Sequence, residues 1–158
     1  EEQLALPNYD AYASYMPESS PCVCTTLRKA SRAVTRLYDD RLAATGLTTT
    51  QLAVLRNLDR HGSLELSRLA DILVMDRTTL YRTLSPIERH GWINIGNGEK
   101  GRAKLATLTE AGRTIKDAAN TAWETTQAEI IGTIGATQWQ ALEEQLRRLA
   151  ETPLERTA

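Results

Sequence analysis

Two groups of residues in this chain have types and spacings that could do chemistry. The first is Cys22 and Cys24, its only cysteines. A thiolate at a helix start has a lowered pKa and becomes oxidisable. A Cys-x-Cys pair rarely closes on itself, because so small a loop strains the disulfide geometry. As metal ligands the two sulfurs would need partners, and His61 and His90, the only histidines, stand far off in sequence. Small apolar helix-start residues are the third reading, and all three stay open. The second group is Ser67, Arg77, Thr78, Thr79, Tyr81 and Arg82. Such side chains presented together can bond phosphate oxygens and base edges. The sequence has no Gly-rich phosphate loop, no His-Glu-x-x-His and no recognisable Ser, His and acid set. No catalytic residue or cofactor is therefore expected, no metal site is assigned, and the chain does not read as an enzyme.

The elements that must position the second group lie between Leu66 and Ile93. Leu66, Leu69, Ala70 and Leu73 recur at helical spacing, giving a short helix one apolar face. Asp76 is a good N-cap for a second helix, because its carboxylate can accept first-turn amide hydrogens. That helix carries Leu80, Leu84 and Ile87 on one side and ends at Gly91. Its other side shows Arg77, Thr78, Tyr81, Arg82 and Ser85, an arrangement that fits a major groove. Two helices of a plain all-α core with a solvated basic face would look similar, so the following segment decides. Trp92-Ile93-Asn94-Ile95 alternates as a strand, Gly96 to Gly101 is a turn with a charged tip, and Lys104 to Leu108 returns. Helix-turn-helix followed by a hairpin is a winged helix, with Lys100 and Arg102 at the wing tip.

Four motifs in this order and spacing resemble the MarR family of winged-helix transcription regulators. They are Ser67-Arg68-Leu69-Ala70, Asp76-Arg77-Thr78-Thr79-Leu80, Glu88-Arg89-His90-Gly91-Trp92-Ile93 and Leu108-Thr109-Glu110-Ala111-Gly112. The resemblance extends from about Cys22 to about Ala150. The wing departs from the family's Asp-x-Arg-Asp-x-Arg type: Asn97, Glu99 and Lys100 replace the two Asp and the first Arg, and only Arg102 keeps the pattern. The resemblance implies a mainly α fold with a small β-hairpin, its winged helix-turn-helix core flanked by N- and C-terminal dimerisation helices. It implies a homodimeric repressor on double-stranded, pseudo-palindromic DNA (an inverted repeat). Release would come from a small aromatic or phenolic ligand between dimer helices and DNA domain, or from thiol oxidation.

A finer resemblance bears on the cysteines. Aligned through Gly46-Leu47-Thr48, Cys24 falls where the organic-hydroperoxide-sensing branch places its reactive cysteine. Tyr38 falls on one of two tyrosines that bond to it there, and Thr49 stands at the second. This resemblance favours Cys24 over Cys22 as the redox-sensing thiol. At about 1.5 Å rise per residue, Tyr38 cannot reach Cys24 along its own helix and would meet it across a dimer. A metal sensor of the ArsR type would carry its Cys-x-Cys in a core helix of the DNA domain, unlike this chain.

The remaining chain frames these sites. Its 158 residues suit one domain with a proper core. It has no apolar run that could span a bilayer and no secretory signal pattern at its start, so no membrane association and a cytoplasmic location are expected. Because it begins with Glu1, a few native residues are expected to precede it. Net charge is −1, which excludes an indiscriminate polycation, yet residues 61–104 hold seven Lys and Arg against five Asp and Glu. Residues 105–158 hold five against eight, so the basic surplus falls on the reader and the acidic surplus on the tail.

The expected organisation is an N-terminal arm (1–20), dimerisation helices (21–46 and 109–151) and a winged helix-turn-helix DNA-binding domain (47–108). The first long helix should run from about Pro21 to Ala44 and end at Gly46. Thr48 with Gln51 should form a capping box for the next helix, which stops near His61-Gly62. Thr109 should open a helix to about Ile131, broken by Gly132 and Gly135, and Thr137 should cap the last one. The other functional class is a protein–protein module that uses a winged helix without sequence-specific DNA binding. Exposed Arg77, Thr78, Tyr81 and Arg82 count against it.

Overall fold

The structure, a computed structural model, describes residues 22–98 and 103–151. The expected N-terminal arm and the wing-tip residues Lys100 and Arg102 lie outside the described residues. The described residues up to Arg36 and those from Leu37 onward fall into two units. Helix α1, Val23–Leu42, supplies residues to both. In the first unit Val23 and Val34 are 63% and 41% exposed.

The second unit begins with the end of α1, where Tyr38 and Leu42 are buried. A 3₁₀ turn, Ala43–Thr45, follows, and Gly46 closes it in the left-handed region at φ 73°. Helix α2, Thr49–His61, opens on the expected capping box. The Gln51 amide donates to the Thr48 hydroxyl at 3.3 Å, and the Thr48 amide donates to the Gln51 side chain at 2.9 Å. Asp39 braces the same joint, accepting from the Thr49 amide at 2.6 Å and the Thr49 hydroxyl at 2.7 Å. Leu52, Val54, Leu55 and Leu58 turn inward from α2.

Strand β1, Leu64–Glu65, precedes helix α3, Leu66–Leu73, and helix α4, Arg77–Arg89. Strands β2, Ile93–Asn97, and β3, Lys104–Leu108, form the hairpin, and the sheet order is β1-β3-β2. The expected two-stranded hairpin is thus a three-stranded antiparallel sheet, in which Leu64 pairs with Ala106 and Glu65 with Leu105. Two residues are too few to show a period; β1 exists because β3 offers it an open edge.

The core between helices and sheet is largely leucine, with Leu42, Leu55, Leu69, Leu84 and Ile87 all at 0% exposure. Each contributes about 1.5–3 kcal/mol relative to an exposed position. All three apolar residues expected to dock α4, Leu80, Leu84 and Ile87, are in it.

Helix α5, Glu110–Ile134, is capped by Thr109. The Thr109 hydroxyl accepts from the Gly112 amide at 3.0 Å and donates to the Gly91 carbonyl at 2.7 Å, while its amide donates to the Trp92 carbonyl at 3.1 Å. This lashes the helix start to the segment just after α4. Two boundary expectations are corrected here. Helix α5 continues through Gly132, because a single glycine costs only about 1 kcal/mol against a ladder of hydrogen bonds. It ends at Gly135, whose amide bonds the Ile131 carbonyl. Helix α6, Ala136–Glu151, starts at once, because the Gly135 carbonyl accepts from the Trp139 amide at 2.8 Å. Thr137 therefore lies inside the first turn instead of capping it. No residue of α6 is buried, and Leu142, Leu146 and Leu149 are 42%, 36% and 43% exposed.

Candidate nucleic-acid interface

The reading unit is α3, a tight turn and α4. Asp76 caps α4 as expected: it accepts from the Thr79 amide at 2.9 Å and the Thr79 hydroxyl at 2.6 Å. These bonds, the hydroxyl's foremost, hold the Asp76 carboxyl below its ordinary value. Thr79 is thereby given to holding the helix start. Arg77, Thr78, Tyr81, Arg82 and Ser85 are all exposed. Neither Arg77 nor Arg82 has an ion pair or side-chain hydrogen bond among the described residues, so both guanidinium forks face solvent ready for an anionic partner. Ser67, on α3, has its hydroxyl 3.4 Å from Glu65. The turn itself holds Val74, 83% exposed and at φ 51°, in the left-handed region where β-branched side chains are rare.

Beside α4 stands the hairpin, closed by the Gly98 amide on the Ala103 carbonyl at 2.8 Å. Tyr81, Leu84, Ser85 and Glu88 from α4, with Ile95 and Lys104 from the strands, line a cleft of about 230 Å³. Lys104 thus brings to the side of the hairpin a charge beyond those expected at its tip.

A second cleft, also about 230 Å³, is lined by Thr49, Leu52, Ala53, Arg56, Asn57, Arg60 and Trp123. The Arg56 guanidinium lies 3.7 Å above the centre of the Trp123 ring and bonds Asn120 at 2.7 and 3.2 Å. Burial lowers the pKa of Arg56 and raises that of Tyr38. Tyr38 stacks on Trp123 at 6.3 Å and donates its hydroxyl to Gln127. Nearby, Asp59 of α2 binds both Arg113 and Lys116 of α5, and Lys116 also meets Asp117 at 2.8 Å. Arg56, Asn120 and Trp123 escaped the sequence reading because their meeting joins helices far apart in the chain.

Cys22 and Cys24 are free and exposed. Hydrogen bonding from the Thr25 backbone, then the Thr25 side chain and the Cys24 backbone, lowers the Cys22 thiol. His61 is exposed, and His90 stacks on Trp92 at 4.5 Å. Among the described residues no group of three His, Cys, Asp or Glu could hold a metal ion, and no helix is long and apolar enough to cross a membrane.

A helix-turn-helix backed by a three-stranded sheet, with a long helix leaving the last strand, defines a winged-helix protein. The MarR family model matches residues 47–94. The chain is 31% identical to the Mycobacterium tuberculosis transcriptional regulator MosR in complex with DNA, over 83% of this chain and 95% of that one, with a TM-score of 0.76. It is 25% identical to a probable transcriptional regulator from Pseudomonas aeruginosa, over 80% and 96%, with a TM-score of 0.73. It is 27% identical over 84 residues to the HTH-type transcriptional regulator YwoH of Bacillus subtilis, a match spanning 53% of this chain and 61% of that relative. The chain belongs to the MarR family of winged-helix transcriptional regulators.

Proposed function

We propose that this chain is a homodimeric repressor that reads an inverted repeat in double-stranded DNA and is released by a small ligand or by thiol oxidation. The observation that carries the DNA reading is the exposed face of α4, where Arg77 and Arg82, with no acidic partner among the described residues, stand beside Thr78 and Tyr81. A docked helix with such a face can enter a major groove, its arginines meeting guanine edges or phosphates. The related MosR, solved with DNA, supports the same use of the fold. Lys100 and Arg102 of the wing and Ser67 of α3 would add backbone contacts.

The dimer reading rests on α6, whose Leu142, Leu146 and Leu149 form an apolar stripe left exposed among the described residues. A second copy burying that stripe would set two α4 helices about 34 Å apart, one DNA turn. On this reading residues 47–108 bind DNA, residues 21–46 and 109–151 dimerise, and residues 1–20 are an arm. The cleft under Arg56 and Trp123 suits an aromatic effector, having an aromatic wall and a guanidinium at its rim. For the oxidation arm, a thiolate attacks the terminal oxygen of an organic hydroperoxide, the O–O bond breaks to leave a sulfenic acid and an alkoxide, and the alkoxide takes a proton from water to become the alcohol. The hydrogen bonds at the head of α1 favour Cys22 for that attack, whereas family resemblance favours Cys24.

The test is selection of an operator from random DNA, followed by shift assays with competitor DNA. Arg82→Ala should cost about 1–3 kcal/mol and relax one position per half-site. A loss equal on all sequences would make Arg82 a phosphate contact. Failure to select any sequence would favour the protein–protein module instead.

A further inference from the structure

We propose that Lys104 is a phosphate anchor that, with Tyr81 and Ser85, seats the DNA strand lying between α4 and the hairpin. The proposal rests on the DNA-binding reading and adds a positioning contact to it. Its starting point is register. Lys104 pairs with Asn97, and Ala106 with Ile95. Side chains on a strand alternate faces, so Lys104 leaves β3 on the same face as Ala106, which is 0% exposed. That face looks into the core. Lys104 sits one step beyond the core's edge, and its side chain borders the cleft whose other wall is Tyr81 and Ser85 of α4.

The chemistry suits a phosphodiester. A helix lying in a major groove with a hairpin beside it must have one sugar–phosphate ridge between the two elements. The cleft sits where that ridge would run, and about 230 Å³ is room for one phosphate group and some water. Lys104 offers three donors on a compact charge, and the Ser85 and Tyr81 hydroxyls can donate to the remaining oxygens. Lys104 makes no ion pair among the described residues, so its charge is not neutralised there beforehand. Glu88 lines the cleft as well and repels phosphate from its own end, which leaves the Tyr81 and Ser85 end as the seat.

The test compares Lys104→Ala, Lys104→Arg and Glu88→Gln with the wild type on the selected operator and on unrelated DNA, from 50 to 200 mM salt. One phosphate contact contributes about 0.9 to the salt slope, so two half-sites lower it by roughly 1.8 in Lys104→Ala. Its loss should be equal on both sequences, and Lys104→Arg should restore slope and affinity. Glu88→Gln should tighten binding to both sequences. A slope in Lys104→Ala equal to the wild type's, with Lys104→Ala still folded by circular dichroism, would overturn the proposal. So would a loss confined to one base position, which would make Lys104 a base reader. No binding by the wild type would instead sink the DNA-binding reading itself.

Discussion

Gly112→Ala sets two effects of known size against each other. Gly112 lies in the first turn of α5, where alanine is favoured over glycine by about 1 kcal/mol. Helix propensity alone thus predicts a more stable protein. The space around it says otherwise. A Cβ at this position would sit 1.9 Å from the Trp92 carbonyl oxygen and 2.8 Å from Leu108. Relief to even 3.0 Å requires a shift of about 1.1 Å between two backbone segments. That shift must stretch the Thr109 amide bond to Trp92 and the cap bond from Gly112 to the Thr109 hydroxyl. Two weakened hydrogen bonds cost about 1 kcal/mol each, and overpacking adds about 1–3 kcal/mol. After the propensity gain, Gly112→Ala should be destabilised by about 2–4 kcal/mol. Urea unfolding followed by circular dichroism, at one fixed protein concentration, measures it. Gly132→Ala is the internal control: same helix, same substitution, nothing within 4 Å, and an expected gain of up to about 1 kcal/mol. If Gly112→Ala is as stable as the wild type, the close approach is not a constraint and the reasoning fails.

Three further outcomes are expected. Val74→Gly should stabilise by about 0.5–1 kcal/mol, since it relieves left-handed strain of about 1–2 kcal/mol at an 83% exposed side chain, which outweighs the roughly 0.5–1 kcal/mol lost to glycine's freedom in the unfolded chain; a lower melting temperature would show that Val74 is held by something other than strain. Asp59 has its pKa lowered, first by its bond from Lys116, so the stability it lends is present above its unfolded value near 4 and lost as pH falls through the lower folded value. The wild type should therefore lose more stability than Asp59→Asn between pH 5 and pH 3, and parallel curves would refute the linkage. If the Cys22 thiolate is the peroxide target, Cys22→Ser should keep operator affinity in cumene hydroperoxide while Cys24→Ser loses it; the reverse result would return the role to Cys24, and loss in both variants would exclude a single essential thiol.

The elements most legible in the sequence were those decided by near neighbours. Thr48, Asp76 and Thr109 each read as an N-cap and each makes the side-chain bond that a cap makes. The face of α4 was equally plain, because burying Leu80, Leu84 and Ile87 leaves Arg77, Tyr81 and Arg82 no direction but outward. Distant partners decided what was missed. Strand β1 depends on the free edge of β3, and the break after α5 depends on which glycine closes the ladder. The Arg56–Trp123 contact joins two helices, and Lys104 gains its meaning only when register turns it toward α4. The Tyr38 hydroxyl donates to Gln127, a partner on another helix that no local pattern names.

The bare leucines of α6 carry a consequence for dosage. A chain whose two reading heads act together only after pairing occupies its operator in proportion to the square of chain concentration while unpaired copies predominate. Halving the supply then cuts occupancy about fourfold in that regime, a sharper response than any single-chain binder gives. The same stripe is a hazard for a solitary copy, since an exposed row of Leu142, Leu146 and Leu149 invites unspecific association. If the chain is the dimeric repressor proposed above, synthesis level would act as a control in its own right, setting where repression begins before any effector or oxidant arrives.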